Sequence, residues 1–104
     1  MADQNKIHEF EWDHGNIDKS FKKHGITPKE SEEIFLDENL RVATDVKHAQ
    51  KESRYIAFGK TFTGRTLFSV FTTREDKIRI ISARLANRKE RKIYEKTIKE
   101  NTPL

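Results

Sequence analysis

The chain contains no cysteine. Disulfides and thiolate metal centres are thereby excluded, which suits a reducing compartment. It has no long apolar run either. Nothing approaches the roughly 20 residues a helix needs to cross a bilayer, and only 34% of the 104 residues are hydrophobic. The first residues, Met1 to Lys6, lack the apolar core of a secretion signal, so a cytoplasmic protein with no membrane association is expected. Glycine (4) and proline (2) are scarce, and there is no internal repeat, low-complexity tract or linker. One domain over 1–104 follows, with its core in about 7–100 and with 1–6 and 101–104 loose. His8, His14, His24 and His48 do not recur at helix i, i+4 spacing, and no Asp-x-Asp pattern occurs. Neither a metal site nor a cofactor is expected. A helix-turn-helix pattern is also missing, which argues against DNA binding by this chain alone.

What is present is charge and aromatic bulk. Charged residues make up 37%, the formal net charge is +4, and seven phenylalanines argue against disorder. A small basic domain commonly meets an anionic partner, either nucleic acid or an acidic protein. The most strand-like stretch is Lys77–Arg84, where β-branched residues dominate. Alternation places Ile78 and Ile80 on one face with Ser82 and Arg84, and Arg79, Ile81 and Ala83 on the other. Arg79 is a permanent cation among isoleucines. It requires an anion, either a carboxylate of the fold or a phosphate from outside it.

Residues 7–12 alternate as a short strand. Asp13 can cap a helix over about 14–24, with Ile17 and Phe21 four apart and Gly25 as its C-terminal stop. Thr27-Pro28-Lys29-Glu30 is a capping box with proline at the first helical position, and it predicts a helix over about 28–36. Strands are expected at 40–44, 53–61, 65–74 and 77–84, with a hairpin turn at Phe62-Thr63-Gly64 and a second at Glu75-Asp76. Asn87-Arg88-Lys89-Glu90 is another capping box, opening a helix over about 87–100. The order predicts an α+β fold: two N-terminal helices on an antiparallel sheet of about four strands, a short N-terminal strand and a C-terminal helix. Ile56, Phe58, Phe68, Val70, Ile78 and Ile80 would face the two helices. Tyr55, Arg65, Ser69, Thr73 and Arg79 would lie opposite, with Leu67, Phe71 and Ile81.

Several pieces, in order and at fixed spacing, resemble the BrnT-like toxins of bacterial type II toxin–antitoxin systems. They are Phe10-Glu11-Trp12-Asp13, Lys23-His24-Gly25-Ile26, Ile34-Phe35-Leu36-Asp37, His48 with Glu52 and Arg54, Gly64-Arg65, Thr73-Arg74, Ile78 to Arg84, and Glu90-Arg91. The likeness spans about residues 10–95. Ser20, Asn16 and Ala49 stand where the family often has Asn, Lys and Ser, which weakens residue-level transfer in the helix and loop. The resemblance implies a RelE-type ribonuclease fold and an RNA-cleaving toxin. It implies a partner antitoxin of the BrnA kind with a ribbon-helix-helix part, and contact with operator DNA only through that antitoxin. A member that keeps the fold but has lost cleavage is the alternative.

Metal-free RNA cleavage needs a base for the 2′-hydroxyl, an acid for the leaving 5′-oxygen and cations at the phosphorane. Arg79 and Arg65, assigned to one face by alternation, are the cationic candidates, since guanidinium matches phosphate bidentately. His48, in a polar loop, and His24, at a helix end, are the candidates for proton transfer, and Lys23 beside His24 is a candidate for holding a phosphate, or else sits against the helix dipole. Tyr55 is a candidate for base stacking, and Thr73 and Arg84 for RNA binding, Arg84 the more structural because it falls on the other row from Arg79. Trp12 reads as core.

Overall fold

The structure is a computed structural model, described over residues 9–12, 22–45 and 53–101. Its elements are strand β1 (Glu9–Trp12), helix α1 (Pro28–Glu33) continued by a 3-10 turn (Ile34–Leu36), and strands β2 (Arg41–Thr44), β3 (Tyr55–Lys60), β4 (Thr66–Arg74) and β5 (Lys77–Leu85). Helix α2 (Arg88–Asn101) closes the chain. The expected first helix lies outside the described residues except for 22–24, which are helical and end at Gly25 with φ 67°. That is the left-handed conformation glycine supplies after a helix.

The sheet has five strands in the order β1-β5-β4-β3-β2. β2 to β5 form the antiparallel meander, whereas β1 joins the edge parallel to β5, so the sheet is mixed. Both capping boxes form. The Thr27 side chain accepts from the Glu30 N–H at 3.1 Å, and the Glu30 carboxylate accepts from the Thr27 N–H at 3.2 Å. Asn87 and Glu90 exchange the same two bonds at 2.8 Å each. Local sequence is enough to start both helices, because the two bonds satisfy otherwise orphaned N–H donors.

The helix-covered face differs from the alternation-based expectation. Ile26, Ile34, Ala57, Leu67, Phe71, Ile78, Ile80 and Ala83 form the buried cluster, with Phe10, Trp12, Phe35, Leu40 and Tyr55 packed against it. Ile78 and Ile80 are on the expected side. On β3 and β4 the other row is covered, and Ile56, Phe58, Phe68 and Val70 lie on the far face. Both rows are apolar, so alternation separates them without saying which one a helix covers. Gly59 decides it: a Cβ there would lie 2.7 Å from Ile34 Cβ and 3.0 Å from the Ile34 carbonyl oxygen. Only the bare backbone of β3 lets the 3-10 turn settle on this side.

A second departure sits in β5. Val70 pairs with Ser82 but Phe71 pairs with Ile80, so Ile81 is an extra residue, a β-bulge. Beside it, the buried Ser69 hydroxyl donates to the Ser82 carbonyl at 3.1 Å. The bulge resets the alternation. Ala83 turns inward after Ile80, and Ser82 and Arg84 turn outward. Arg84 therefore shares a face with Arg79, contrary to the simple period-2 reading.

α2 crosses from the end of β5 to β2. Tyr94, 2% exposed, donates its hydroxyl to Asp37, and Arg41 of β2 donates to Thr97 at 2.9 Å. Asp37 also accepts from the Lys60 N–H at 2.8 Å, so one carboxylate joins the 3-10 turn, β3 and α2. Burial first, and then the Asp37 hydrogen bond, raises the Tyr94 phenol above its usual range.

Candidate functional site

Register builds a polar row across the far face of the sheet. Glu11 of β1 stands opposite Arg79 of β5, and Arg79 opposite Thr72 of β4. Arg54 lies one step before Tyr55, so it shares this face, and its carbonyl accepts from the Asp45 N–H at 2.8 Å. Arg79 and Arg54 are both half-buried. The Arg54 Nε is buried with no hydrogen-bond partner among the described residues, and Thr72 is 2% exposed, its hydroxyl donating to the Ser53 carbonyl. The next row outward pairs Arg74 with Lys77, and Lys77 lies 3.9 Å from Glu11. Neither Arg74 nor Arg79 is without a partner. Guanidinium groups on a half-buried sheet face can hold a phosphodiester, because low local dielectric strengthens each contact and their forks match its oxygens.

The other expected site residues do not join this row. Arg65 follows the hairpin turn and donates to both Glu30 carboxylate oxygens, at 2.9 and 3.3 Å. It is on the helix-covered side, seven residues of strand from Thr72, or about 23 Å along β4. The expectation that Arg65 and Arg79 share a face is therefore corrected, the reversed assignment of the two rows being the cause. His24, half-buried, and Lys23, exposed, precede Ile26 and Thr27. His24 is only three residues from Thr27, a span of at most about 11 Å, so these two belong with Arg65 around the start of α1. Tyr55 stacks on Phe71 with centroids 5.3 Å apart, in an aromatic series continued by Phe35 and Phe10. That places it at the margin of the core. Thr73 is exposed on the same side, opposite Ile78.

Arg84 is on the face of Arg79 but is held. It makes two bonds of 2.8 Å to the two Glu90 carboxylate oxygens, and its guanidinium lies 3.9 Å from the Phe68 ring centroid. The hydrogen bond from Arg84 holds the Glu90 carboxyl below its ordinary value of 4.5, aided by the Asn87 N–H and by the charge of Arg84. Trp12 packs against the core, and its indole N–H donates to Glu32 at 3.0 Å. His48 lies outside the described residues. The residues that flank its stretch, Asp45 and Ser53, are at the sheet end that carries Arg54, Thr72 and Arg79. Arg54 is the residue of this face that was not among the expected site residues, and its alternation with Ile56 and Phe58 is the signal in the sequence that places it there. Among the described residues no group of three or more His, Asp or Glu side chains is placed to hold a metal ion, and no helix is long and apolar enough to cross a membrane.

The fold is a small α+β domain with arginines on the sheet face away from α1. The comparisons narrow the class. Residues 12–90 match the family described as "Ribonuclease toxin, BrnT, of type II toxin-antitoxin system", and the chain belongs to that family. The crystal structure of the Brucella abortus ribonuclease toxin BrnT is similar in fold, with a TM-score of 0.61 and 21% sequence identity over 79% of this chain and 100% of that one. A comparison with curated proteins found no match.

Proposed function

We propose that this chain is a cytoplasmic toxin that cleaves RNA without a metal ion, with Arg79 and Arg54 holding the scissile phosphate. The observation behind this reading is the cross-sheet row in which Arg79 stands opposite Thr72, with Arg54 on the same face and its buried Nε without a hydrogen-bond partner among the described residues. The 2′-oxygen loses its proton to a base and attacks phosphorus. The bond to the 5′-oxygen breaks, and an acid returns a proton to that leaving oxygen. The products are a 2′,3′-cyclic phosphate and a 5′-hydroxyl end, and the two guanidinium groups offset the charge that gathers on the phosphorane. His48 is the preferred proton carrier, because its flanking residues are at the Arg79 end of the sheet; His24 is on the α1 side. Arg65 and Arg84 hold structure through Glu30 and Glu90, and Tyr55 holds the core margin.

The partner in this reading is a BrnA-like ribbon-helix-helix antitoxin. It covers the Arg79 face, and the complex represses the shared operon through the antitoxin's own DNA contacts. The toxin alone then leaves operator DNA unshifted in a gel.

The test is incubation of purified protein with RNA in EDTA. Cleavage leaving 5′-hydroxyl ends is expected, with Arg79→Ala lowering the rate about 100-fold or more while the fold persists, the scale of losing one oxyanion donor. A second reading, a binding module without cleavage, is favoured by one observation: two of the three expected arginines are already held by carboxylates. RNA left intact at large enzyme excess would establish it.

A further inference from the structure

Helix α2 carries six cations and three carboxylates within Arg88–Asn101. It thus accounts for three of the four net positive charges of the whole chain. One of its three carboxylates, Glu90, is taken by Arg84 and by the cap of the helix itself. Lys89, Lys92, Lys96 and Lys99 follow at spacings of three, four and three, so they form one stripe along the helix, and all four are exposed. The stripe faces away from the domain, since Tyr94 and Thr97 make the contacts with Asp37 and Arg41. Lys92, Lys96 and Lys99 line a surface depression together with Glu95. Over ten residues the stripe is about 15 Å long.

We infer that this lysine stripe is a second RNA contact, a phosphate track that binds the strand outside the cleavage site and without regard to sequence. The inference rests on the ribonuclease reading above and extends it to where the strand is gripped. An RNA backbone fits the stripe better than a protein surface does. The centres of protein interfaces are depleted in lysine and built on apolar anchors. Here Ile93, 37% exposed, is the large hydrophobic residue of α2 that reaches solvent. Lysines on flexible stems instead neutralise phosphates as point charges, and the counterions so released make binding depend on salt. The cross-sheet row and the Arg74–Lys77 pair beside it carry carboxylate charge among their cations, with Glu11 opposite Arg79 and near Lys77, whereas the α2 stripe is four lysines in line. The geometry therefore divides the work. The row on the sheet holds one phosphate for chemistry, and the helix adds a second, separate stretch of phosphate contacts.

The test uses a single-stranded 2′-O-methyl oligonucleotide, which lacks the nucleophile and stays intact. Its binding to the full chain is followed by fluorescence anisotropy between 50 and 200 mM salt. Each phosphate neutralised contributes about −0.7 to the slope of log K against log salt. The variant K89Q/K92Q/K96Q/K99Q, checked for native circular dichroism and melting temperature, is expected to flatten the slope by about 2 to 3, whereas Arg79→Ala changes it by about 1 or less. An unchanged slope in the folded quadruple variant overturns the phosphate track, whatever the cleavage assay shows. So does equal loss of binding to a polyglutamate peptide with RNA binding retained, since that assigns the stripe to an acidic protein. Absence of cleavage with the slope change intact overturns the ribonuclease reading and leaves the track standing.

Discussion

Glu30 and Glu90 each perform two tasks with one carboxylate. Each is the third residue of a helix and closes its capping box, and each also holds an arginine brought to it by the sheet: Arg65 in the first case, Arg84 in the second. A helix start is a favourable place for an anion, and a paired arginine then ties that start to a strand. Glu90→Gln weakens both roles. It is expected to lower stability near neutral pH by about 1 kcal/mol, the pair being only part-buried and screened by solvent. The pH sign follows from the direction of the shift. A carboxyl held below 4.5 contributes its stabilisation fully above that value, and loses it as pH falls through the lowered one. Urea midpoints measured at pH 7 and pH 3 should therefore differ less in Glu90→Gln than in the parent. At Gly59 the effect is steric. Gly59→Ala puts a methyl into Ile34 and is expected to cost about 1–3 kcal/mol by urea unfolding. A neutral result there would mean that the 3-10 turn can retreat from β3.

The β4–β5 hairpin shows how a single element sets the chemistry of a face. Its two-residue turn has Glu75 at φ 50° and Asp76 at φ 68°, the positive pair that a right-twisted hairpin needs and that Asn-Gly adopts with least strain. Glu75→Asn with Asp76→Gly should raise stability by about 1 kcal/mol, read as a higher urea midpoint at unchanged slope. Farther along the same strand, the extra residue Ile81 lets β5 present Ile78, Ile80 and Ala83 to the core while Arg79 and Arg84 face away. Deleting Ile81 removes the bulge and leaves the same facing by plain alternation, with Ile78, Ile80 and Ala83 inward and Arg79, Ser82 and Arg84 outward. The deletion variant is therefore expected to keep the fold, with a loss of about 1 kcal/mol by urea unfolding. A deletion variant that fails to fold would show that β5 needs the added twist of the bulge as well as the facing of its side chains.

At the scale of the whole molecule, the charges separate into working groups with different surroundings. Arg65 with Lys23 and His24 is gathered at the start of α1, Arg79 with Arg54 lies on the far face of the sheet, and the lysines line α2. An antitoxin that blocks activity by covering the Arg79 face should slow amide exchange in β4 and β5 near Thr72 and Arg79. It should leave the turn at Thr63-Gly64, at the opposite end of β4, unchanged. Protection confined to that turn would require inhibition by another route.

How much of this was legible beforehand depends on the range of the interactions concerned. The starts of both helices, the stop at Gly25, the meander and the two hairpin turns rest on contacts within four residues or on period-2 patterning, and they stand where local residues place them. The family likeness over most of the chain was legible too, since it lies in the order and spacing of residues. Which apolar row is covered was not legible, because Ile56-Phe58 and Ala57-Gly59 are both compatible with a sheet face. The choice turns on how closely Ile34 can approach a glycine some 25 residues away. Nor could alternation place Arg84, since a bulge changes the register without a mark in the residues around it. Residue types determined the elements, the basic balance and the candidate cations. Tertiary structure alone decided which cations meet a carboxylate and which share the open sheet face, because only packing and register bring together groups far apart in the chain.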